Sequence, residues 1–379
     1  MNINTLVNLL DNHNESSLVA INKLNPNKVI YIISEETQEL YKDIEEYHKK
    51  NFCNIEIEGI LVNEGDIEKI QLILNKLLNK DTIINITGGK RINSLIILKE
   101  ALIKEFKAIY IDVLNKLWYS FNDKLTISKD EFKDIYIEDM LNITGADLLM
   151  DSSDLSEKDD IINLTKKIYD NLEIWYTYKQ KLHDTVIFMH DYENNKKVNV
   201  NINSLKSKEV DILLKCLDYM KNINAIEYKR NESQIEIVFL NDYLKGFIFK
   251  SGTWLEVLTN IVIREIREID EVKSGVVFLW REGEQRVRNE LDVLAIKDSV
   301  LICISCKDSE KYDENALNEL DVYSKRLGGN DAKKILVATR EPCKACINDR
   351  AKAMGINLVI LDKDINKFRN TLKQIITGE

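Results

Sequence analysis

The stretch Asn289 to Asp308 reads N-E-L-D-V-L-A-I-K-D-S-V-L-I-C-I-S-C-K-D. Two short apolar runs are opened by Glu290 and Asp292 and closed by Lys307. A hairpin turning near Lys297-Asp298 brings Asp292 close to Cys303–Ser305, at the same sheet end as Lys307. Ser305 and Lys307 are two apart and share a face. Asp292 joins that face when the register pairs it with an odd-numbered residue. A two-residue loop of Lys297 and Asp298 does this, as would a four-residue loop or a bulge. A hairpin end with exposed charged tips is the plain reading. The chemical reading is metal-assisted phosphodiester cleavage. Carboxylates hold Mg²⁺ or Mn²⁺, the ion polarises phosphate and water, and a lysine stabilises developing negative charge.

Working outward, a helix is expected over Thr253–Ile269 and strands over Gly275–Trp280, Leu291–Ile296 and Val300–Cys306. A helix follows at Glu314–Leu327 and stops at Gly328-Gly329. Strand Ile335–Ala338, helix Lys344–Met354, strand Ile356–Leu361 and a last helix complete the order. With Asp292 and S-x-K on successive strands, Gly252–Leu361 resembles the restriction-endonuclease-like core of the PD-(D/E)xK nucleases. The resemblance implies that Asp292 holds a metal and that Lys307 acts on water and phosphate. It also implies that Glu256, in G-T-W-L-E at 252–256, is a metal acid on the first core helix. Glu256 has a second reading as the N3 partner of Thr253 in a capping box. Ser305 stands where that family usually has Asp or Glu. It could hold a metal-bound water while the Cys306 backbone carbonyl supplies a ligand, and Glu290 could replace the acid from the same face. Asp308 points the other way in a regular strand. Arg286 and Arg288 are candidate phosphate contacts or solvated charges, and Tyr323 is read as packing.

The chain has 379 residues, which implies two or three domains, and 44% apolar residues, which implies packed cores. Its net charge of −10 argues against a non-specific nucleic-acid coat, so any nucleic-acid site is local. No run approaches the ~18 apolar residues of a membrane span. The N-terminus, M-N-I-N-T-L-V-N-L-L-D-N, lacks a charged n-region and a cleavage site. A cytoplasmic protein without membrane contact is expected. Among six cysteines, Cys303/Cys306 and Cys343/Cys346 form C-x-x-C pairs. The first pair lies in a strand-like run that points the two thiols to opposite faces. The 36 residues between the pairs exceed ribbon spacing. Buried reduced thiols are expected.

The first ~115 residues alternate apolar runs (Thr5–Leu10, Val29–Ser34, Ile55–Val62, Thr82–Thr87, Ala108–Val113) with amphipathic stretches (Glu36–Lys50, Ile67–Asn79, Ile92–Phe106). This predicts a mostly parallel, doubly wound sheet with ligands outside the C-terminal strand ends. One strand runs into Gly88-Gly89-Lys90-Arg91 and then a helix, where glycines and a helix N-terminus favour an anion. Neither a Walker A sequence nor G-x-G-x-x-G is present. The turn Asp11–Glu15, with Asn12 and His13, and Ser34 after the second strand should line the same crevice. Asp151–Asp160 reads as a linker or exposed helix start, Ile161–Leu182 as a helix. Hairpins Thr185–His190/Val198–Ile202 and Ala225–Lys229/Gln234–Leu240, with helix Ser207–Lys221, suggest a small winged-helix-like module.

The I-T-G-G-K-R turn, the N-E-S-S-L-V-A-I helix start and the V-I-Y-I-I-S strand resemble CARF domains, the Rossmann-like sensors of type III CRISPR defence. Joined to G-T-W-L-E, N-E-L-D-V and S-C-K, the chain is similar to CARF nucleases activated by cyclic oligoadenylate. The fold class expected is α/β: a CARF domain over 1–145, a linker and winged-helix-like module over 146–250, and a restriction-endonuclease-like domain over 251–379. The resemblance implies a homodimer sharing one cyclic tetra-adenylate. Thr87, Gly88, Gly89 and Lys90 would meet its phosphates and riboses, and Asn12, His13 and Ser34 its bases. The activated enzyme would cleave single-stranded DNA or RNA with Mn²⁺ or Mg²⁺. The rival reading is a second-messenger-controlled nucleic-acid binder with a degenerate nuclease site. A third is a CARF-like domain that cleaves its own ligand through His13 and Lys90.

Overall fold

The computed structural model describes residues 3–77, 81–122, 124–129, 132–250, 252–281 and 287–378. The N-terminal unit runs β1 Thr5–Leu9, α1 Glu15–Leu24, β2 Lys28–Ile33, α2 Gln38–Asn51, β3 Glu56–Leu61, α3 Ile67–Lys76, β4 Thr82–Asn85, α4 Arg91–Ile103 and β5 Lys107–Asp112. Two more strands follow, β6 Leu117–Phe121 and β7 Leu125–Lys129. The sheet order is β3-β2-β1-β4-β5-β6-β7. The first five strands are parallel, and β6 and β7 continue as antiparallel edge strands. The order reverses between β1 and β4, which opens a crevice at their C-terminal ends.

Short helix α5, Ile137–Ile143, leads into β8, Ala146–Met150. This strand pairs antiparallel with β13, far along the chain. Residues 146–150 thus form an edge of the C-terminal sheet, where a linker was expected. The polar run after it is also pinned. Ser152 N–H bonds to Ser274 O at 2.8 Å, and the Asp151 carboxylate accepts from Lys273 at 3.0 Å.

The expected single helix over Ile161–Leu182 is divided into α6 Asp159–Tyr169 and α7 Leu172–Tyr178, with a 3₁₀ turn at Lys179–His183. Then come β9 Phe188–His190, β10 Lys197–Asn201, α8 Ser207–Asn222, β11 Ile226–Arg230, β12 Gln234–Phe239 and α9 Leu244–Phe249. Both expected hairpins form, and they join into one four-stranded antiparallel sheet in the order β11-β12-β10-β9.

The C-terminal unit is α10 Thr253–Arg264, β13 Glu271–Trp280, β14 Arg288–Lys297, β15 Val300–Lys307, α11 Glu314–Gly328, β16 Lys333–Ala338, α12 Cys346–Ala353, β17 Ile356–Ile360 and α13 Ile365–Thr377. Its sheet runs β17-β16-β15-β14-β13-β8. Alternation along β15 serves two cores. Cys303 packs with the core shared with the N-terminal unit, and Cys306 with the core shared with the middle segment. Both thiols are buried and free, and burial raises both above their ordinary range. Cys343 and Cys346, expected to be buried, are exposed because they sit at the start of the surface helix α12. No helix among the described residues is long and apolar enough to cross a membrane.

Candidate active site and candidate ligand cavity

The hairpin β14–β15 turns through Asp298 and Ser299, with φ of 52° and 65°. This is the two-residue turn with left-handed centres that suits hairpin twist. It lies one residue later than expected, pairing Lys297 with Val300. Asp292 therefore falls opposite Ser305, an odd-numbered residue, and on the Lys307 face.

The regular ladder ends at the pair Val293–Ile304. Beyond it the Asp292 side chain takes over. Its Oδ2 accepts Cys306 N–H at 2.6 Å and the Ser305 hydroxyl at 3.1 Å, and Lys307 Nζ stands 3.7 Å away. A residue's N–H and C=O lie along the same edge of a strand. The Cys306 carbonyl therefore faces the Asp292 side. Oδ1 of Asp292 has no donor among the described residues.

Glu256 reaches the same place from α10. Gly252 is the N-cap of that helix and no side-chain cap bond forms, so Thr253 and Glu256 do not make the capping box. The Thr253 hydroxyl is buried without a partner. Glu256 is 8% exposed, and its carboxyl is pushed up to about 7. Burial is the main cause and the charges of Asp292 and Glu290 add to it, while Lys250 and Lys307 oppose it. A buried carboxyl whose pKa is raised among other acids is a place that would gain from a bound cation. Glu256, Asp292 and the Cys306 carbonyl would offer a cation oxygen donors alone, the kind Mg²⁺ and Mn²⁺ prefer.

Two residues alter the expected picture. Ser305 is 7% exposed and spends its hydroxyl on Asp292, so it orients that acid. Glu290 lies on the right face, but its carboxylate is held by Lys250 Nζ at 3.1 Å. Lys250, at the C-cap of α9, has no motif to reveal it, and only the fold brings it to the acids. Tyr323 packs edge-on against Phe278 and donates to Asn289 Oδ1 at 3.0 Å, as a packing residue should. Arg288 is exposed, and Arg286 lies outside the described residues. Among the described residues, three carboxylates whose oxygens gather within 4.8 Å occur elsewhere, at Asp134, Asp270 and Asp298. That group already has cations beside it. Lys116 and Lys297 both pair with Asp298.

The crevice between β1 and β4 holds a cavity of about 170 Å³. Asn12, Ser34, Gly89 and Lys90 line it, together with Asp11, Glu36, Thr37 and Asn93. A Cβ on Gly88 would lie 2.4 Å from the Leu9 carbonyl oxygen, so the turn rests directly on β1. Gly89 has a φ of +79° and gives its N–H to Asp11 Oδ2 at 3.0 Å. Lys90 Nζ is paired with Glu36 at 2.6 Å. A phosphate arriving there would compete with that carboxylate.

Thr87, Gly88 and His13 do not line the cavity. The Thr87 hydroxyl is consumed by Asn85 Oδ1 at 2.6 Å and by Ile111 N–H at 2.8 Å. His13 turns toward the C-terminal unit, where a Cβ on Gly329 would come within 3.3 Å of its ring. Burial holds the imidazole below its usual pKa, against the charges of Asp11 and Asp331. The backbone N–H of His13 donates to Asp11 Oδ1 at 2.7 Å. Asp11 thus ties the glycine turn to His13.

The acids, the hairpin and Lys307 all fall in one recognisable segment. Residues 245–377 match the Card1-like, endonuclease domain family. No curated protein matches the chain. Among solved structures, the chain shares its fold with protein VC1899 from Vibrio cholerae, at 20% identity over 99% of this chain and 98% of that one, with a TM-score of 0.79. Can2 from Sulfobacillus thermosulfidooxidans, solved in complex with cyclic tetra-adenylate, aligns at 17% identity over 98% and 99% of the two chains, with a TM-score of 0.71. A type III CRISPR defence DNA nuclease activated by cyclic oligoadenylate aligns at 13% identity over 91% of this chain and 47% of that one, with a TM-score of 0.53. At these identities the likeness is one of fold. The α/β architecture expected, a mostly parallel N-terminal sheet joined to a separate mixed C-terminal sheet, is the architecture observed. The Card1-like endonuclease segment starts in α9, so it includes Lys250 as well as the acids.

Proposed function

We propose that this protein is a metal-dependent endonuclease of type III CRISPR defence, switched on by cyclic tetra-adenylate and acting on single-stranded DNA, RNA or both. The observation that carries the reading is the meeting of Glu256, Asp292 and Lys307 inside the segment that matches an endonuclease domain. Asp292 and Glu256, with the Cys306 carbonyl, would hold Mn²⁺ or Mg²⁺. The bound ion would supply charge for the scissile phosphate and an acidified water. Lys307 would orient the attacking water and stabilise charge on phosphate. Ser305 and the Cys306 N–H hold Asp292 in place. Glu290, paired with Lys250, is a further acid whose charge acts on Glu256.

In the N-terminal cavity, Lys90 and the Gly89 turn would meet phosphates of the activator, and Asn12 and Ser34 its bases. A two-fold-symmetric ring calls for a two-fold pair of cavities. The exposed apolar side chains Ile67 and Leu72 of α3 and Ile92 and Leu95 of α4 are candidate contacts of a homodimer, because apolar area is costly to leave in water. Activation requires only that the ligand bind one dimer arrangement more tightly than the other.

The test is incubation of labelled single strands with Mn²⁺, with and without cyclic tetra-adenylate. Cutting that depends on both supports the reading. Strands that shift in a gel but stay whole would replace it with the binding-protein reading, for which Ser305 in the acid position is the motive.

A further inference from the structure

Asp308 follows Lys307 directly, and its side chain is only 3% exposed. Four groups converge on its carboxylate. Trp175 Nε1 donates to Oδ2 at 2.7 Å and Trp254 Nε1 to the same oxygen at 2.9 Å. Thr339 Oγ1 donates to Oδ1 at 3.2 Å, and Lys179 Nζ pairs with Oδ1 at 2.9 Å. Lys179 also reaches the Asp308 backbone carbonyl. With these donors in place the carboxylate is saturated, so it is no metal ligand in this arrangement.

The four partners come from four separate elements. Trp254 sits in the first turn of α10, two residues before Glu256. Thr339 follows β16, the neighbour of the Lys307 strand. Trp175 and Lys179 lie on α7 and the 3₁₀ turn after it, outside residues 245–377. The same arm makes further contacts. Tyr176 OH donates to Thr339 O at 3.3 Å, Arg340 lies 4.0 Å over the Tyr176 ring, and the Trp175 and Trp254 rings meet edge-on at 6.4 Å.

We infer that Asp308 is a positioning residue that locks the Glu256 helix and the Lys307 strand together, and that the α7 arm completes this lock from outside the endonuclease segment. The inference rests on the nuclease reading given above. Its physical basis is that a catalytic lysine on the last residue of a strand has no following ladder to hold it. The next residue must be anchored, or the ammonium wanders by an ångström, a displacement that costs on the order of 10²-fold in rate.

The experiment compares full-length wild type with Asp308→Asn, Asp308→Glu and Trp175→Phe. Two readouts are used: activated cleavage of a labelled single strand, and Mn²⁺ binding by calorimetry. Asp308→Asn can keep one oxygen for the tryptophans but turns an amide toward Lys179. It should lower kcat by roughly 10–100-fold and leave KM within a few fold. Mn²⁺ affinity should fall about tenfold, because Glu256 is no longer fixed. Trp175→Phe removes one arm bond at the edge of the lock, so it should fold normally and lower kcat by a few fold. Asp308→Glu keeps the charge and should recover part of the rate. Folded variants with wild-type kcat and wild-type Mn²⁺ affinity would overturn the lock, as would a loss confined to KM. If wild type binds Mn²⁺ but cuts nothing, the nuclease reading fails while the Mn²⁺ comparison still judges the lock. If wild type neither binds Mn²⁺ nor cuts, both readings are overturned.

Discussion

At the end of the β14–β15 hairpin, every polar group sits on regular secondary structure or at the end of it. Asp292, Ser305 and Lys307 are on strands, Glu256 is in the first turn of a helix, and backbone N–H groups fix the key carboxylate. Around the N-terminal cavity the opposite holds. Asp11, Asn12, His13, Ser34 and Gly88–Lys90 lie between elements, and their directions are set by local bonds such as Asp11 to Gly89. The first site stands on strands and a helix with buried cores behind them. The second is built from turns. The first construction suits chemistry and the second suits binding, because misplacing a reacting group costs far more than misplacing a binding group.

That contrast can be broken most directly at the first site. Lys307→Ala or Asp292→Asn should reduce activated cleavage by roughly 10²–10⁴-fold and leave cyclic tetra-adenylate binding unchanged. A variant that cuts at full rate removes the site assignment. At the second site, Lys90→Ala should weaken cyclic tetra-adenylate about tenfold, roughly the worth of one charge-assisted contact. Its Mn²⁺ affinity should match wild type, and an unaltered activator titration would argue against the cavity. The proposed dimer is probed by Leu95→Glu, which puts a charge on an exposed apolar position of α4. It should move the sedimentation profile toward monomer, and a profile identical to wild type would point to a different contact surface.

The smallest effect concerns pH. Glu15, behind the cavity, is pushed by burial from 4.5 to about 7. Its proton is held more tightly in the folded than in the unfolded chain. The stabilisation is complete below about 4.5 and is lost as pH rises through about 7. His48, buried and lowered from 6.5 to about 4, works in the opposite sense and costs stability as pH falls through that window. The difference in Tm between wild type and Glu15→Gln isolates the first group. It should grow in favour of the variant from pH 4.5 to 7, and a flat difference would mean that Glu15 is ionised in the folded state.

Much of the candidate site's geometry was legible because strand geometry is strict. Once a two-residue turn is allowed near Lys297, the parity of Asp292, Ser305 and Lys307 follows, and a one-residue shift of the loop leaves that parity intact. The opposite faces of Cys303 and Cys306 followed from the same alternation. Turns offer no such rule. Asn12 and His13 are adjacent, yet one lines the cavity and the other meets Gly329 of the C-terminal unit. Thr87 resembled a ligand contact until its hydroxyl was accounted for by Asn85 and Ile111.

The amino-acid sequence by itself determined the alternating sheet of the first unit, the order of elements along the chain in the second, and the face that carries the acid and the lysine. Each is a consequence of hydrophobic period and turn chemistry acting over a few residues. Only the tertiary structure decided that Ala146–Met150 leaves its neighbours to edge the distant sheet, and that Lys250 enters the acid cluster. The same holds for the closing of Trp175 and Lys179 on Asp308. These contacts join residues more than a hundred positions apart, or side chains on irregular backbone. They are chosen by which buried charges and strand edges must find a partner, and no local pattern records that choice.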